Sequence, residues 1–250
     1  CAGATKARNQ TEYDAVNAKG TLNLLTVTAQ VNPKLKRFIF ISSLAARGPD
    51  GKFADQPISQ YGLSKLLAEQ YVKSFQTHFP ITIFRPAVIY GPGDMAILSL
   101  FKILKSGFVP LPNHGRMRLS VIYISDVVSA ILQSITTANS AGKTYYLSDG
   151  RDYSLAELLS EIVKRVKVGK AWFCPIPIAL LKIGAYAAEF IAYLTGTLPA
   201  LTRDKALEIS QAQWVCDAAN TRADLAWQPE MTWTQGVQLT YNWYQKMDFL

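Results

Sequence analysis

The sequence predicts an α/β fold in which a parallel sheet with crossover helices is followed by a smaller α/β unit. Short apolar runs of strand type alternate with longer segments of helical periodicity, as in parallel strands joined by helices. The 250 residues are 49% hydrophobic and 18% charged, which is enough to bury a substantial core and too apolar for a disordered chain. Beyond residue 93 the periodic segments become shorter, which indicates the second unit.

Four elements are predicted before residue 93. A helix at 11–31 has apolar residues at helical spacing and ends at Asn32-Pro33, because the residue before a proline is displaced from the helical region. The run 37–42 is apolar without interruption, as expected for a strand buried on both faces. A helix at 60–79 and a strand at 81–85 follow.

Shorter elements are predicted in the second half. Ser154 and Glu157 form a capping box, which marks the start of a helix. The predicted order is a helix at 97–104, a strand at 119–124, a helix after Ser125, a strand at 143–147, the capped helix, a helix at 202–209, a strand at 214–216 and a helix at 234–246.

The net charge of +8 does not by itself indicate a nucleic-acid-binding protein. The densest group of cations, Lys164, Arg165, Lys167 and Lys170, ends a predicted helix, where cations are favoured by the helix dipole. No aromatic residues are interleaved with this group and no nucleic-acid-binding motif is present. We therefore predict no nucleic-acid partner.

Three cysteines, Cys1, Cys174 and Cys216, stand far apart and without metal-ligand spacing, so no metal site is predicted. The simplest interpretation is that these cysteines are reduced thiols in a cytoplasmic protein.

The most apolar stretch, 176–198, is interrupted by Pro177, Lys182, Gly184, Glu189 and Gly196. Because a membrane-spanning helix needs about 18 uninterrupted apolar residues, we predict a core or lid helix and no spanning segment. A contact with a membrane surface stays open.

Tyr61 and Lys65 are four residues apart and therefore share one face of the helix predicted at 60–79. Ser43 follows the strand at 37–42, at the edge where open α/β sheets bind ligands. A phenol with a pKa near 10 is a poor base at neutral pH, and a neighbouring ammonium stabilises its phenolate. Ser43 would then hydrogen-bond a substrate oxygen while Tyr61 exchanges its proton. The Tyr61 and Lys65 pair alone is equally compatible with an ordinary surface pair.

In this context the chain resembles the extended short-chain dehydrogenase/reductase family, also called the NAD-dependent epimerase/dehydratase family. The resemblance implies a Rossmann-like doubly wound parallel sheet with a small C-terminal α/β substrate domain. The matching segments are similar, in order, to the family's N-V-x-G-T-x-x-L-L helix (16–25), active-site strand (38–43), catalytic pair (61–65), R-P-x-x-V-Y-G-P-G segment (85–93), I-H-V-x-D-V element (122–127) and C-terminal D…L-G-W-x-P…G…W-Y pattern (217–244).

That resemblance also implies a division of the chain. Residues 1–93 would be the remainder of an NAD(P)-binding Rossmann domain with the catalytic residues. Residues 94–250 would mainly form the substrate-binding domain, with 119–137 returning to the Rossmann sheet. A homodimer through the helices at 11–31 and 60–79 is a further implication.

Roles for individual residues follow from the same resemblance. Tyr61 would be the acid/base, Lys65 would lower its pKa and bind the nicotinamide ribose, and Ser43 would orient the substrate. Asn17 would be a structural or proton-relay member, and a helix-interior asparagine equally often satisfies a neighbouring backbone group. The residues expected to contact the cofactor, NAD or NADP, are Ala2, Gly3, Ile41, Ser42, Tyr61, Lys65, Arg85, Pro86, Ala87 and Val88.

One family feature is missing from the 250 residues. The glycine-rich fingerprint G-x-x-G-x-x-G does not occur in them, and Cys1-Ala2-Gly3 resembles the end of the family's fourth strand. We therefore expect a truncated chain, in which about 70 residues that carry the pyrophosphate site would precede Cys1. The residue that distinguishes NAD from NADP would lie there as well.

Substrate clues are fewer. Relatives that dehydrate nucleotide sugars carry Asp-Glu after the active-site residue, whereas Ser43 is followed by Leu44-Ala45, so dehydration is disfavoured and these two residues are expected to contact substrate. Sugar epimerases often hold a diphosphate with an arginine at the position of Leu119, beside which Arg116 and Arg118 stand. These arginines either bind from a shifted register or are solvated loop charges.

Two functions remain open at this point. The first is an NAD(P)-dependent oxidoreductase or epimerase acting on a secondary alcohol or carbonyl of a nucleotide sugar or a sterol-like molecule. The second is a non-catalytic NAD(P)-binding protein that serves as a sensor or assembly subunit. Ser43, Tyr61 and Lys65 together favour the enzyme, because a scaffold has no chemical need for them.

Overall fold

The computed structural model describes residues 3–49, 55–166, 170–197, 199 and 201–250. Its strands are β1 (Phe38–Ile41), β2 (Ile81–Pro86), β3 (Val88–Tyr90), β4 (Phe108–Pro112), β5 (Arg118–Tyr123), β6 (Thr144–Leu147), β7 (Asp152–Ser154), β8 (Trp172–Ile176) and β9 (Gln213–Trp214). Its helices are α1 (Gln10–Tyr13), α2 (Gly20–Val31), α3 (Gln60–Ser74), α4 (Met95–Lys105), α5 (Ile124–Thr136), α6 (Leu155–Val166), α7 (Ile178–Thr195), α8 (Arg203–Ile209), α9 (Ala219–Leu225) and α10 (Trp233–Lys246).

Strands β1, β2 and β6 form a parallel sheet in the order β1-β2-β6. All six residues of β2 are buried. Strand β1, which was predicted to be buried on both faces, is fully buried only at Phe40. Helix α3 connects β1 to β2, and α5 precedes β6, so the sheet has the crossover connections that parallel strands require. The predicted α/β fold with parallel strands is confirmed.

A second group of strands is centred on β5, which pairs in parallel with β3 and β9 and antiparallel with β7. The prediction that residues 119–137 return to the first sheet is wrong for the strand. The strand that joins β2 is β6. Helix α5 does pack on the first sheet, where its Val127 and Ala130 contact a cluster containing Phe84. A parallel pair, β4 and β8, was not predicted, because both strands contain prolines, which normally argue against a strand.

Helix α7 differs from its prediction. Pro177 precedes it and Gly196 ends it, so 18 residues form one helix that buries only Ala185 and Ala192. Of the two predicted alternatives, a core or a lid helix, the core helix is wrong, because α7 is largely exposed. Among the described residues α7 is the one helix long and apolar enough to cross a membrane by length and composition, a criterion that many helices of other proteins also meet.

Helix α10 packs against β3 through a glycine. A Cβ atom at Gly236 would lie 2.3 Å from the Oη of Tyr90, whose ring also lies 4.5 Å from that of Trp233. Tyr90 is 1% exposed and its hydroxyl donates to the carbonyl of Thr232 at 3.3 Å. The tyrosine therefore has no room to move away, and only glycine fits at this position of α10.

Gly236→Ala is expected to destabilise the protein by about 1–3 kcal/mol, the usual cost of overpacking a core. Gly184→Ala is the matched control, because a Cβ atom at Gly184 inside α7 has no atom within 4 Å. That change should stabilise the helix by about 0.5–1 kcal/mol. Urea unfolding measures both, and equal free energies of unfolding for the two variants would contradict the packing argument.

Candidate active site

Helix α3 is held very close to the turn that follows β1. Residues Leu44–Ala46 form a single 3-10 turn, and a Cβ atom at Gly62 would lie 2.4 Å from the carbonyl oxygen of Ala45. Ser59 caps the helix by accepting from the amide of Gly62 at 3.0 Å. Glycine at position 62 thus lets the helix approach the turn, which brings Tyr61 on α3 next to Ser43.

The side chains of Ser43 and Tyr61 are neighbours at this turn, and Ser43 stabilises the phenolate of Tyr61. Burial raises the pKa of Tyr61, and Ser43 opposes this shift. The hydroxyl of Ser43 also accepts from the amide of Ala45 at 3.2 Å, which fixes its position. Two neighbouring hydroxyls of this kind can both reach one oxygen of a substrate.

Lys65 lies one turn beyond Tyr61 and is 8% exposed. Its ammonium donates to the carbonyl of Ile41 at 2.7 Å and lies 4.5 Å from the centre of the Phe40 ring. Burial lowers the pKa of Lys65 from 10.5 to about 8, and the charge of Glu69 partly opposes this shift. The pKa of Tyr61 is shifted by its burial, by Ser43 and by Glu208. The proposed lowering of that pKa by Lys65 therefore stays a prediction.

The pKa of Lys65 predicts a dependence of stability on pH. Between pH 8 and 10.5 the unfolded chain holds a proton that the folded chain has released, so the free energy of unfolding rises with pH in this window. Below pH 8 the folded protein carries the buried charge and this gain is absent. We expect wild type to gain on the order of 2 kcal/mol over Lys65→Met from pH 8 to 10, measured by urea unfolding. Lys73→Met, on the exposed side of α3, should show no such trend, and parallel curves for wild type and Lys65→Met would contradict the shift.

Asn17 is 2% exposed and lies in a π-helical turn, Asp14–Lys19, that joins α1 to α2. Its Nδ2 donates to the carbonyl of Ala4 at 3.0 Å and to the hydroxyl of Ser64 at 2.9 Å, and its Oδ1 accepts from the amide of Ala4 at 2.8 Å. Both amide hydrogens are therefore used to tie the segment after Gly3 to α3. This geometry favours the structural role over the proton relay.

The side chain of Arg85, which was predicted to contact the cofactor, already uses all five of its N–H groups within the protein, so a contact through its backbone stays a prediction. The guanidinium is buried and donates to Glu69 at 2.7 and 2.8 Å, to Asp55 at 2.6 and 2.7 Å, and to the hydroxyl of Tyr146 at 3.0 Å. The side chain of Ser42, also predicted to contact the cofactor, donates to Glu69 as well. Arg85 and Ser42 thus belong to a buried network beneath α3.

The remaining cofactor-contact predictions have mixed outcomes. Ile41 offers its carbonyl to Lys65. Pro86 and Ala87 are buried at the end of β2, whereas Val88 is 43% exposed. Gly3 is exposed, and Ala2 lies outside the described residues.

The predicted substrate contacts are not brought to one place. The side chains of Leu44 and Ala45 are buried in the core cluster that includes Tyr90, and their contact with substrate stays a prediction. Arg118 donates to the carbonyl of Asp152 at 2.8 Å on the exposed start of β5, and Arg116 is exposed nearby. This placement favours solvated charges.

Asp204 is a functional contact that sequence reasoning missed. Its carboxylate accepts from the amides of Gln60 at 2.8 Å and Tyr61 at 3.4 Å, the first two residues of α3. Burial raises the pKa of Asp204, and the two hydrogen bonds oppose the shift. No local sequence pattern predicts this cap, because Asp204 lies on α8, more than 140 residues after the start of α3.

Tyr13 is a second missed neighbour, with its ring centre 6.1 Å from that of Tyr61. Burial raises the pKa of Tyr13 to about 12, so it stays a neutral phenol.

A cavity of about 770 Å³ lies beside α3, with walls from α7, α8 and the segment before α1. Gln60 and Leu63 line it, as do Arg8, Tyr186 and Arg203. Ser43, Tyr61 and Lys65 are not among its walls, so its position next to the catalytic helix does not make it the site of the reaction.

Residues 2–153 match the model of the NAD dependent epimerase/dehydratase family. The chain belongs to this family. It is 29% identical to the UDP-glucose 4-epimerase of Vibrio cholerae over 253 residues, which cover 94% of this chain and 70% of that protein. The predictions of the family and of an enzyme within it are confirmed.

Two solved structures share the fold of this family member. The UDP-glucose 4-epimerase of Thermotoga maritima with UDP-glucose has a TM-score of 0.77 at 20% identity, covering 99% of this chain and 76% of that one. The UDP-glucuronic acid 4-epimerase of Bacillus cereus with UDP-glucuronic acid and NAD has a TM-score of 0.75 at 19% identity, covering 98% and 74%.

Proposed function

We propose that the protein is an NAD(P)-dependent epimerase or oxidoreductase that acts on a ring hydroxyl of a nucleoside-diphosphate sugar. The proximity of Ser43 and Tyr61, with the buried Lys65 one turn further along α3, carries the proposal. The epimerases of similar sequence or structure support a nucleotide sugar over a sterol-like alcohol. The division into a cofactor domain up to residue 93 and a substrate domain is part of this proposal.

The residues present fit the nicotinamide end of NAD(P). Lys65 is a buried cation whose ammonium donates one hydrogen bond to the carbonyl of Ile41 at the end of β1. Its remaining N–H groups can donate to the hydroxyls of a ribose. Tyr61 stands one turn away. The cofactor supplies the hydride acceptor when it is bound.

The chain's own residues manage the proton. Tyr61 takes the proton of the substrate hydroxyl during oxidation and returns it during reduction, while Ser43 binds the same oxygen. Glu69 and Asn17 orient the strand and helix that carry these groups. Leu44 and Ala45 occupy the positions where dehydratases of the family carry Asp-Glu, so elimination of water is not proposed.

The test is an assay of the purified protein with NAD and, in parallel, UDP-glucose, UDP-N-acetylglucosamine, UDP-glucuronate and a 3-hydroxysteroid. The proposal expects one nucleotide sugar to be converted and Ser43→Ala to slow the reaction at least tenfold. Turnover of the steroid alone would instead favour the sterol-like substrate. Binding of NAD(P)H without any turnover would favour the sensor or assembly function.

We also propose a homodimer through α2 and α3. Leu24, Val27 and Val31 on α2 are 58%, 53% and 76% exposed, and Leu63 on α3 is 47% exposed. Burying these apolar side chains against a second copy would stabilise the pair. Sedimentation of the double variant Leu24→Glu and Val27→Glu should show monomer where wild type shows dimer.

A further inference from the structure

Helix α7 exposes apolar side chains around most of its circumference. The mean hydropathy of its 18 residues is 1.4, and 11% of them are buried. Five large aliphatic or aromatic side chains are 59–66% exposed: Leu180, Ile183, Phe190, Ile191 and Leu194. A continuous apolar patch of this kind on a protein surface is typical of a contact with another protein or with a membrane.

The remaining face of α7 is fixed to the body of the protein. Ala185 and Ala192, seven residues apart and hence on one face, are buried where α7 packs on α8. Glu189 forms an ion pair with Arg203 at the start of α8, and Arg8 donates to the carbonyl of Gly196 at 3.5 Å, just beyond the helix. A helix held along its length in this way cannot cross a bilayer, but it can lie flat on one.

The charges around α7 are asymmetric. The nearby acidic groups are engaged within the protein: Glu189 pairs with Arg203, Glu208 pairs with Lys205 at 2.9 Å, and Asp204 caps α3. Lys182, on α7 itself, is exposed and has no ion pair among the residues that the structure describes. Its positive charge is therefore left on this face and favours an anionic surface.

Two tyrosines complete the pattern. Tyr186 and Tyr193 are 60% and 84% exposed on the same helix. Tyrosine has an apolar ring and a polar tip, which suits the boundary between lipid headgroups and acyl chains. A protein partner would need a groove matched to a helix that is apolar over most of its surface, whereas a lipid phase accepts such a helix without a fixed shape.

We propose that α7 is a membrane-surface helix whose apolar face inserts into the headgroup region of a bilayer containing anionic lipid. Lys182 adds electrostatic attraction, and the ion pair of Glu189 with Arg203 keeps the helix parallel to the surface. This contact is independent of the proposed enzymatic function.

Vesicle flotation tests the proposal with the complete protein, phosphatidylcholine vesicles and vesicles that also contain phosphatidylglycerol. Wild type should float with the anionic vesicles, and less at high salt. Ile183→Gln with Phe190→Gln should reduce binding about tenfold or more, and Lys182→Glu about fivefold on anionic vesicles alone. The matched control is Val128→Gln with Leu132→Gln on α5, where the two side chains are 47% and 59% exposed. That variant should bind as wild type does.

Two outcomes would overturn the proposal. One is wild-type protein that stays with the soluble fraction on both vesicle types, and the other is a double α7 variant that floats like wild type. Sedimentation of the same variants is run alongside. A loss of the dimer in the double α7 variant, without vesicle binding by wild type, would assign the patch to a second copy of the chain. Unchanged circular dichroism establishes that the variants are folded.

Discussion

Replacing Tyr61 by phenylalanine is expected to lower turnover at least a hundredfold, because general acid–base catalysis by one residue contributes about 10²–10⁴. The change removes only the hydroxyl whose pKa Ser43 lowers. The ring stays in place, since its packing against Tyr13 and the core cluster does not need the oxygen. The loss should therefore fall on the chemical step, and it is measured as the steady-state rate with the substrate identified by the assay above.

Tyr71→Phe is the control for this variant, because Tyr71 lies on the same helix and packs in the cluster around Val72. It should retain the wild-type rate. Burial raises the pKa of Tyr61, so the rate in the direction that needs its phenolate should also increase with pH in wild type and not in Tyr61→Phe. Near-normal turnover by Tyr61→Phe would remove this residue from the mechanism.

Replacing Glu69 by alanine is expected to destabilise the fold by about 3–5 kcal/mol. Glu69 is fully buried and accepts two hydrogen bonds from Arg85 and one from Ser42. Its removal leaves part of a buried guanidinium without a partner, and Asp55, which is partly exposed, can compensate only from one side. Urea unfolding followed by tryptophan fluorescence measures the loss.

The same network supplies the control. Lys73 approaches Glu69 at 4.0 Å, but its side chain is 47% exposed, so Lys73→Ala should cost less than about 1 kcal/mol. If Glu69→Ala unfolds at the urea concentration of wild type, the buried pair does not hold the site together. A second variant, Glu69→Gln, keeps the size of the side chain and should fall between the two.

Local patterns predicted the centre of the site. The spacing of Tyr61 and Lys65 and the position of Ser43 after a buried strand depend on helix and sheet geometry alone, and the close approach at Gly62 brings these elements together. The partners of Arg85 could not be found in this way. Glu69 and Asp55 are separated from it by 16 and 30 residues, and nothing in a sequence distinguishes an arginine that binds a ligand from one enclosed by carboxylates.

Apolar composition was informative about helix formation and misleading about burial. The pattern at 176–198 predicted a core or lid helix, and a helix formed, but Ala185 and Ala192 are its only buried residues. Which face of α7 is buried depends on the helix packed against it, which is α8. The short polar sequence of α8 does not indicate that it packs on α7. Likewise, β4 and β8 pair in parallel although both contain proline, and neither strand's sequence indicates the other as its partner.

The cap that Asp204 places on α3 has a consequence for synthesis of the protein. The amides of Gln60 and Tyr61 lie 144 and 143 residues before the carboxylate that they bind. During translation Ser59 can cap the amide of Gly62 as soon as α3 forms, whereas the amides of Gln60 and Tyr61 gain their partner only after α8 has left the ribosome. Nascent chains that stop before α8 would carry Ser43, Tyr61 and Lys65 on a helix with only its local cap, so the long-range part of the cap is added last.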